Sequence, residues 1–267
     1  MTKASTVFLV GAGPGDPELL TIKAHRLLQA AEVVVYDRLV SADVLALIPA
    51  GATLISVGKQ PHNHRIPQPE INQLLVRLAK AGRNVIRLKG GDPYVFGRGS
   101  EEAMALVEND VPFEVVPGIT SASACSASVG MPLTHRGLAT GVRYLTGHCR
   151  EDSELNFDWQ GLADPSTTLV IYMGMANVEQ ITENLIKHGA DPKLPAAAIN
   201  NGSRPAQRHI VTTLESLAGD AKAADFNGPV LFVVGQVVAL HAILGAEVDA
   251  KQDQTQDDEQ PNSAVGS

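Results

Sequence analysis

Residues 85–102 read VIRLKGGDPYVFGRGSEE, and this stretch decides how the surrounding chain is expected to fold. It begins as an apolar, β-branched run typical of a buried strand and breaks at Gly90-Gly91-Asp92-Pro93. Ser100-Glu101-Glu102 then has the composition of a helix N-terminus, because serine caps helices and acidic side chains favour the first turn. Open α/β sheets bind small ligands beside such strand ends and helix starts. The stretch therefore predicts a strand, a ligand-binding loop and a helix.

Strand and helix patterns alternate along most of the chain. In the first part we predict strands at Val7–Val10, Val33–Tyr36, Thr53–Gly58 and Val85–Leu88, and helices at Glu18–Gln29 and Pro69–Ala81. A second alternating unit follows, with helices at Thr120–Val129 and Asn177–His188 and strands at Thr167–Gly174, Pro195–Asn200 and Val230–Val234. The alternation in the first part indicates a mostly parallel sheet covered by helices. We therefore predict an α/β fold with domains at residues 1–117 and 118–246 and a disordered acidic tail at 247–267.

Composition excludes several classes of protein. The chain has 267 residues, of which 44% are hydrophobic, and its net charge is −8. Six acidic residues and one lysine between Glu247 and Ser267 account for −5, which leaves −3 for the body. A body without a basic stripe and with 4% aromatic residues does not favour nucleic-acid binding. No apolar run approaches the roughly 18 residues that span a bilayer, and no signal peptide precedes Val7, so we expect a cytoplasmic protein.

A second glycine-rich segment, VGAGPGDP at residues 10–17, follows the first predicted strand. A dinucleotide-binding fingerprint needs glycine where Asp16 stands, and Pro14 removes a backbone N–H from the turn that would hold a pyrophosphate. Asp16 and Pro17 favour a short helix instead, with a capping carboxylate and a proline at the first position. A nucleotide-binding oxidoreductase or regulatory module is therefore the more distant alternative.

Charged side chains follow two further strands. Asp37 and Arg38 come directly after the second predicted strand, and Lys59 comes after the third. Because the carboxyl ends of parallel strands border the ligand crevice, Asp37 is a candidate general base, and a solvated turn is the alternative. The loop at residues 59–68 contains two histidines, but a metal site needs more ligands on a fixed scaffold. A lid over an anionic substrate and a solvated loop both remain open. Cys125 and Cys149 lack metal-ligand spacing, which indicates reduced thiols.

The two glycine-rich segments resemble the signature motifs of the uroporphyrinogen-III C-methyltransferases, a family within the wider tetrapyrrole methylases. The resemblance runs from about Thr6 to Leu244 and implies two α/β domains with a ligand cleft between them, usually in a homodimer. It implies that S-adenosylmethionine, without a metal, methylates two ring carbons of uroporphyrinogen III. The products would be precorrin-2, for sirohaem, cobalamin or haem d1, and S-adenosylhomocysteine. A chain that begins at the methylase motif is expected to lack the dehydrogenase and chelatase module fused to some relatives. Another methylase of the same fold is the nearer alternative.

The resemblance also implies roles for individual residues. It makes Asp37 the proton acceptor and Lys59 the proton donor, with Arg98 and Glu101 as further catalytic candidates. Because arginine stays protonated, we expect Arg98 to stabilise charge or anchor a carboxylate rather than act as a base. The implied cofactor-binding residues are Pro14, Gly90, Gly91, Asp92, Val95, Thr120, Ser121, Met173 and Gly202. The implied carboxylate-binding residues are Arg38, Arg98 and Arg136, with Arg65 and Arg204 as further arginines for a polyanionic substrate.

Some of these residues also have simpler structural explanations. Thr120 or Ser121 can cap the following helix, and capping and ligand binding can coexist. Met173 can be an ordinary core residue. Glu101 lies within reach of Arg98 if the helix starts near Ser100.

Overall fold

The computed structural model describes residues 5–58, 66–148 and 155–245. These residues form two compact units, the first ending at Ala124 and the second beginning at Cys125. The domain boundary that we predicted at Pro117-Gly118 stays a prediction. Gly118 itself lies against Gly11 and Gly91 of the first unit. The acidic tail, with its predicted disorder, falls outside the described residues.

The first unit is built on five parallel strands. They are β1 (Val7–Gly11), β2 (Val33–Tyr36), β3 (Thr53–Ser56), β4 (Val85–Lys89) and β5 (Phe113–Val116), in the sheet order β3-β2-β4-β1-β5. The connecting helices are α1 (Ile22–Gln29), α2 (Ala42–Ala46), α3 (Gln68–Lys80), α4 (Gly99–Val107) and α5 (Ser121–Ser128), which runs on into the second unit. The predicted parallel sheet of the first part is confirmed.

Apolar layers cover both faces of the first sheet, as parallel sheets require. One layer packs Leu75 of α3 and Leu106 of α4 against the sheet, and the other packs Leu28 of α1 and Val44 of α2 against its opposite face. All four of these leucine and valine side chains are fully buried. The loops at the carboxyl ends of the strands therefore rest on a rigid support.

The predicted helix at Glu18–Gln29 is divided in the structure. A short 3₁₀ helix at Pro17–Leu19 is capped by Asp16, whose carboxylate accepts a hydrogen bond from the N–H of Glu18 at 2.8 Å. Thr21 then caps α1, because its hydroxyl oxygen accepts from the N–H of Ala24 at 3.1 Å. A second cap inside the predicted helix is the reason for the break.

The second unit contains a mixed sheet. Its strands are β6 (Gly141–Thr146), β7 (Thr167–Tyr172), β8 (Pro195–Asn200), β9 (Arg208–Thr213) and β10 (Val230–Val234), in the order β6-β7-β10-β8-β9. Only β6 and β7 are paired in parallel; the other neighbours are antiparallel. The helices are α6 (Trp159–Leu162), α7 (Val178–Lys187) and α8 (Leu217–Ala223), with 3₁₀ turns at Met175–Asn177 and Gln236–Leu240.

The sequence analysis missed two strands of this unit, β6 and β9. Both are edge strands, and neither contains a fully buried residue. They consequently lack the continuous apolar run by which the buried strands β8 and β10 were recognised. Across the described ranges of both units, no helix has the length and apolarity needed to cross a membrane.

Candidate functional site: glycine loops and a buried charge cluster

Three loops meet where β1, β4 and β5 end. A Cβ atom added to Gly11 would lie 2.5 Å from the backbone nitrogen of Gly118 and 2.6 Å from the carbonyl oxygen of Gly91. A Cβ on Gly118 would likewise collide with the same Gly91 oxygen. Backbone therefore packs directly on backbone at this edge, which only glycine allows.

Hydrogen bonds join two of these loops beyond the ends of their strands. The N–H of Gly91 donates to the carbonyl of Gly13 at 2.7 Å, and the N–H of Gly13 donates to the carbonyl of Gly91 at 3.2 Å. Both glycines have φ of +68°, in the left-handed region. A Cβ on Gly91 would lie 3.7 Å from the hydroxyl oxygen of Ser121. Two predicted cofactor-binding residues, Gly91 and Ser121, are thus neighbours, and the buried Pro14 lies in the adjoining loop.

Asp92 ties the β4 loop to the β5 loop. Its Oδ2 accepts a hydrogen bond from the N–H of Gly118 at 3.1 Å, and its Oδ1 accepts from the N–H of Tyr94 at 2.8 Å. Both carboxylate oxygens of Asp92 thus accept hydrogen bonds from backbone N–H groups. The expected role of Asp92 in cofactor binding stays a prediction.

The segment that precedes α4 contains two non-glycine residues in the left-handed region. Phe96 has φ of 52° and Arg98 has φ of 59°. A Cβ on Gly97 would lie 2.8 Å, and one on Gly99 2.5 Å, from the carbonyl oxygen of Pro93. These contacts explain the sequence Gly-Arg-Gly, which helix capping alone does not explain. Such strained backbone is often found at functional sites.

Arg98 and Glu101 form the ion pair that the sequence spacing predicted. Nε and Nη2 of Arg98 donate to the two carboxylate oxygens of Glu101, each at 2.8 Å. The hydrogen bonds to Glu101 raise the pKa of the Arg98 guanidinium. Both side chains are about half exposed, and the arginine is therefore a fixed, permanently charged group at the surface. Val95, in the same loop, is half-buried.

Asp37 belongs to a cluster of four charged side chains, called here the charge cluster: Asp37, Arg87, Lys89 and Glu102. Nη2 of Arg87 lies 2.6 Å from Oδ1 of Asp37, and Nζ of Lys89 lies 3.5 Å from Oδ2. Burial disfavours the charged form of Arg87, but Asp37 and Glu102 outweigh it and raise the pKa of the guanidinium. Asp37 is thus held between two cations at the carboxyl end of β2.

The sequence analysis did not identify Arg87, Lys89 and Glu102 as functional candidates. One signal was present: Arg87 and Lys89 alternate along β4, so both face the same side of a strand that is otherwise apolar. Charged side chains on the buried face of a central strand require partners, and a nearby acidic residue was to be expected.

The arginines predicted to bind carboxylates and Lys59, the predicted proton donor, have different surroundings. Arg38 and Arg136 are exposed, which suits a role in binding anions. Arg204 is half-buried, and burial lowers its pKa. Lys59 and Arg65 lie outside the described residues, as does most of the loop at residues 59–68, for which a lid and a solvated loop were the alternatives. Their roles stay predictions.

Met173 in the second unit is not a core residue. It is 51% exposed and has φ of 54°, directly after β7. A Cβ on Gly147, after β6, would collide with the Cα of the next residue, Gly174, and one on Gly174 would lie 2.9 Å from the side chain of Ile171. Asn177 also donates to the carbonyl of Gly147 at 2.7 Å. The two parallel strands of this sheet therefore end in a rigid turn that exposes Met173.

Gly202, the other candidate of the second unit, packs on Cys125. A Cβ on Gly202 would approach the Cys125 sulfur and lie 2.8 Å from the cysteine Cβ. Burial raises the pKa of the Cys125 thiol to about 11, so this thiol is protonated at neutral pH. The neighbours Asn201 and Ser203 both have positive φ, which marks a tightly constrained loop.

Residues 6–218 match the family model described as Tetrapyrrole (Corrin/Porphyrin) Methylases. The chain belongs to this family. Its predicted α/β fold is thereby confirmed, and tetrapyrrole methylases act with S-adenosylmethionine rather than with the dinucleotide that Pro14 and Asp16 disfavour. Within the part of the chain that the structure describes, no group of three or more His, Cys, Asp or Glu side chains is placed to hold a metal ion.

Individual tetrapyrrole methylases are closely similar to the chain. A uroporphyrinogen-III C-methyltransferase of Paracoccus denitrificans is 52% identical over 234 residues, which cover 88% of this chain and 82% of the relative. A siroheme synthase of Saccharophagus degradans is 51% identical over 239 residues, which cover 90% of this chain and 52% of the relative. The chain thus spans about half the length of the siroheme synthases that it matches.

Solved structures of tetrapyrrole methylases have the same fold. The uroporphyrin-III C-methyl transferase of Thermus thermophilus, solved in complex with S-adenyl homocysteine, is 44% identical. It superimposes with a TM-score of 0.76 over 88% of this chain and all of that chain. A cobalt precorrin-4 methyltransferase is 26% identical, with a TM-score of 0.77 over 87% of this chain and 95% of that one.

Proposed function

We propose that the chain is a uroporphyrinogen-III C-methyltransferase that methylates two ring carbons of its substrate and gives precorrin-2 and S-adenosylhomocysteine. The observation that carries the proposal is the glycine packing of Gly11, Gly91 and Gly118 at one sheet edge, in a chain 44% identical to a transferase solved with S-adenyl homocysteine. The Paracoccus relative, covered over 82% of its length, supports the choice of substrate.

The residues at the glycine loops fit S-adenosylmethionine. Gly90 and Gly91 have no side chains of their own, which permits close approach to their backbone, and Thr120 and Ser121 add hydroxyl groups on the β5 loop. We propose that these residues hold the cofactor together with Pro14, Asp92, Val95, Met173 and Gly202. When bound, S-adenosylmethionine supplies an electrophilic methyl group on a sulfonium sulfur. The protein then contributes chiefly alignment, which is worth roughly 7–11 kcal/mol for well-oriented reactants.

The charged residues handle the substrate and its proton. We propose that Asp37 accepts a proton from the macrocycle, since Arg87 and Lys89 fix its carboxylate while its side chain remains 30% exposed. Lys59 is the proposed proton donor. Arg98, oriented by Glu101, and Arg38 and Arg136 are proposed to bind the substrate carboxylates, because a guanidinium pairs with a carboxylate in a bidentate manner.

Anaerobic incubation with S-adenosylmethionine and uroporphyrinogen III, followed by mass spectrometry, tests the proposal. We expect a product that carries two additional methyl groups. Asp37→Asn is expected to abolish it while leaving S-adenosylhomocysteine binding intact. If the protein bound S-adenosylhomocysteine but methylated a different tetrapyrrole, the proposed substrate would be wrong and the family assignment would stand.

The resemblance also suggests how the enzyme is assembled and where it acts. We propose a homodimer in the cytoplasm that binds neither nucleic acid nor membranes, in keeping with a body of low net charge. Light scattering on the purified chain measures the oligomeric state directly, and a monomer at working concentrations would contradict this part of the proposal.

A further inference from the structure

The central strand of the first sheet carries two buried cations. Arg87 is 1% exposed and Lys89 is 2% exposed, and both face the side of the sheet that α3 and α4 cover with apolar residues. Burying a charge without a partner is strongly unfavourable, and a hydrophobic pair would serve the core better. These two side chains therefore need an explanation other than packing.

Two carboxylates of different exposure balance the two cations. Oε1 of Glu102, which is fully buried, accepts from Nε of Arg87 at 2.9 Å and from Nζ of Lys89 at 3.1 Å. It also accepts from Nε2 of Gln68 at 3.1 Å. Arg87 and Lys89 contact Asp37 as well, and Asp37 alone among the four reaches solvent. The charge cluster is neutral as a whole and directs a single carboxylate outward.

We propose that Arg87, Lys89 and Glu102 are positioning residues, which hold Asp37 as an oriented carboxylate that receives the substrate proton. This inference rests on the proposed function, in which Asp37 is the proton acceptor. The two cations fix the orientation of the Asp37 side chain. Glu102 offsets part of their charge from the buried side.

The cluster makes two opposite predictions for the titration of Asp37. The charged groups in question are Arg87 and Lys89 on β4, Glu102 on α4 behind them, and the exposed Arg38 next along the chain. Lys89→Met removes a cation and destabilises the Asp37 carboxylate, so its pKa rises. Glu102→Gln removes an anion and stabilises the carboxylate, so its pKa falls.

The experiment measures the pKa of Asp37 directly and through catalysis. Protein labelled with carboxyl-¹³C aspartate is titrated by NMR, and the Asp37 resonance is assigned as the one that Asp37→Asn removes. The acid limb of kcat/KM for methyl transfer is measured on the same variants. We expect the Asp37 titration and the acid limb of kcat/KM to move to higher pH in Lys89→Met and to lower pH in Glu102→Gln. The exposed Lys80→Met, which removes a cation at the end of α3, is the matched control and is expected to shift neither.

A purely structural role gives a different result. Activity then falls in both variants with no shift of the Asp37 titration, or with shifts of the same sign, and either result overturns the inference. If Lys89→Met does not fold, the downward shift of the Asp37 pKa in Glu102→Gln is sufficient to test the inference. The NMR titration reports the electrostatic coupling whether or not uroporphyrinogen III is the substrate. Loss of the proposed function would appear instead as a wild-type protein that does not methylate this substrate.

Discussion

At the scale of single residues, the site depends on positions where the backbone has no room for a side chain or adopts positive φ. Gly11, Gly91 and Gly118 meet backbone to backbone, and Phe96, Arg98 and Met173 are left-handed. The sequence analysis identified the glycine loops because helix capping does not account for the Gly-Gly-Asp-Pro and Gly-Arg-Gly patterns. It could not show that Gly11 packs against Gly91 and Gly118, 80 and 107 positions further along the chain, because such contacts depend on the tertiary fold.

Gly118→Ala tests this packing. The added methyl group collides with the carbonyl oxygen of Gly91, a backbone atom that cannot rotate away. We expect the free energy of unfolding to fall by about 1–3 kcal/mol, measured by urea denaturation, together with weaker binding of S-adenosylhomocysteine. Gly219→Ala is the control, since Gly219 lies in α8 with open space around it and should gain roughly 0.5–1 kcal/mol. Equal stability of both variants would contradict the proposed packing.

Arg98→Ala separates function from stability. The Arg98–Glu101 pair is exposed, so its loss should change the free energy of unfolding by no more than about 1 kcal/mol. Methyl transfer should nevertheless fall on the order of 10²-fold, because a misplaced substrate reacts poorly. Lys222→Ala breaks a comparable exposed pair with Glu179 in the second unit and should leave the rate unchanged. If both variants were equally active, Arg98 would have no role in the reaction.

The Cys125 thiol is expected to be unreactive in the folded protein. Burial raises its pKa to about 11, so almost no thiolate is present at pH 8. Iodoacetamide should therefore leave the peptide containing Cys125 unmodified at pH 8 in the native state and modify it in urea, as read by peptide mass spectrometry. Rapid native alkylation would show that this residue is not packed on Gly202 as described.

At the scale of elements, the strands buried on both faces were predictable, whereas both edge strands of the second sheet were missed. The sequence predicted β2, β8 and β10 with their observed bounds, since each is a continuous run of apolar or small residues. β6 and β9 lie at sheet edges with mixed exposure, and their pairing partners are set by the tertiary fold. Arg87 lay inside the predicted strand Val85–Leu88 and Lys89 directly after it, but their partner Glu102 can be identified only when α4 is packed on the sheet.

Helix α5 offers a test of an element boundary that also belongs to the candidate site. Thr120 accepts a hydrogen bond from the N–H of Ser123 at 3.2 Å, as an N-cap does. Thr120→Ala is expected to cost about 1 kcal/mol of stability and to weaken S-adenosylhomocysteine binding, whereas Thr120→Ser keeps both. Thermal denaturation and calorimetric titration measure the two effects. Loss of stability with unchanged ligand affinity would restrict Thr120 to capping.

At the scale of the whole molecule, the family was predicted from long sequence motifs, whereas the substrate is inferred from similarity to relatives. The cleft between the two domains, the role of Lys59 and the disorder of the acidic tail stay predictions.

Ligand-dependent stability distinguishes the methylase from a dinucleotide-binding protein. A ligand that binds only the folded state at 100 times its Kd adds about 2.7 kcal/mol of stability. S-adenosylhomocysteine should therefore raise the Tm of the chain by several degrees, and NAD should not. A shift with NAD alone would contradict the assignment of the glycine loops to S-adenosylmethionine.

The most direct test of the central claim follows the methyl groups themselves. The chain is incubated anaerobically with uroporphyrinogen III and S-adenosylmethionine labelled with ¹³C in the transferred methyl group, and the product is examined by NMR. Two labelled methyl resonances on quaternary ring carbons are the predicted result. Label on a carboxylate oxygen or a ring nitrogen, or no label in the macrocycle, would contradict the account.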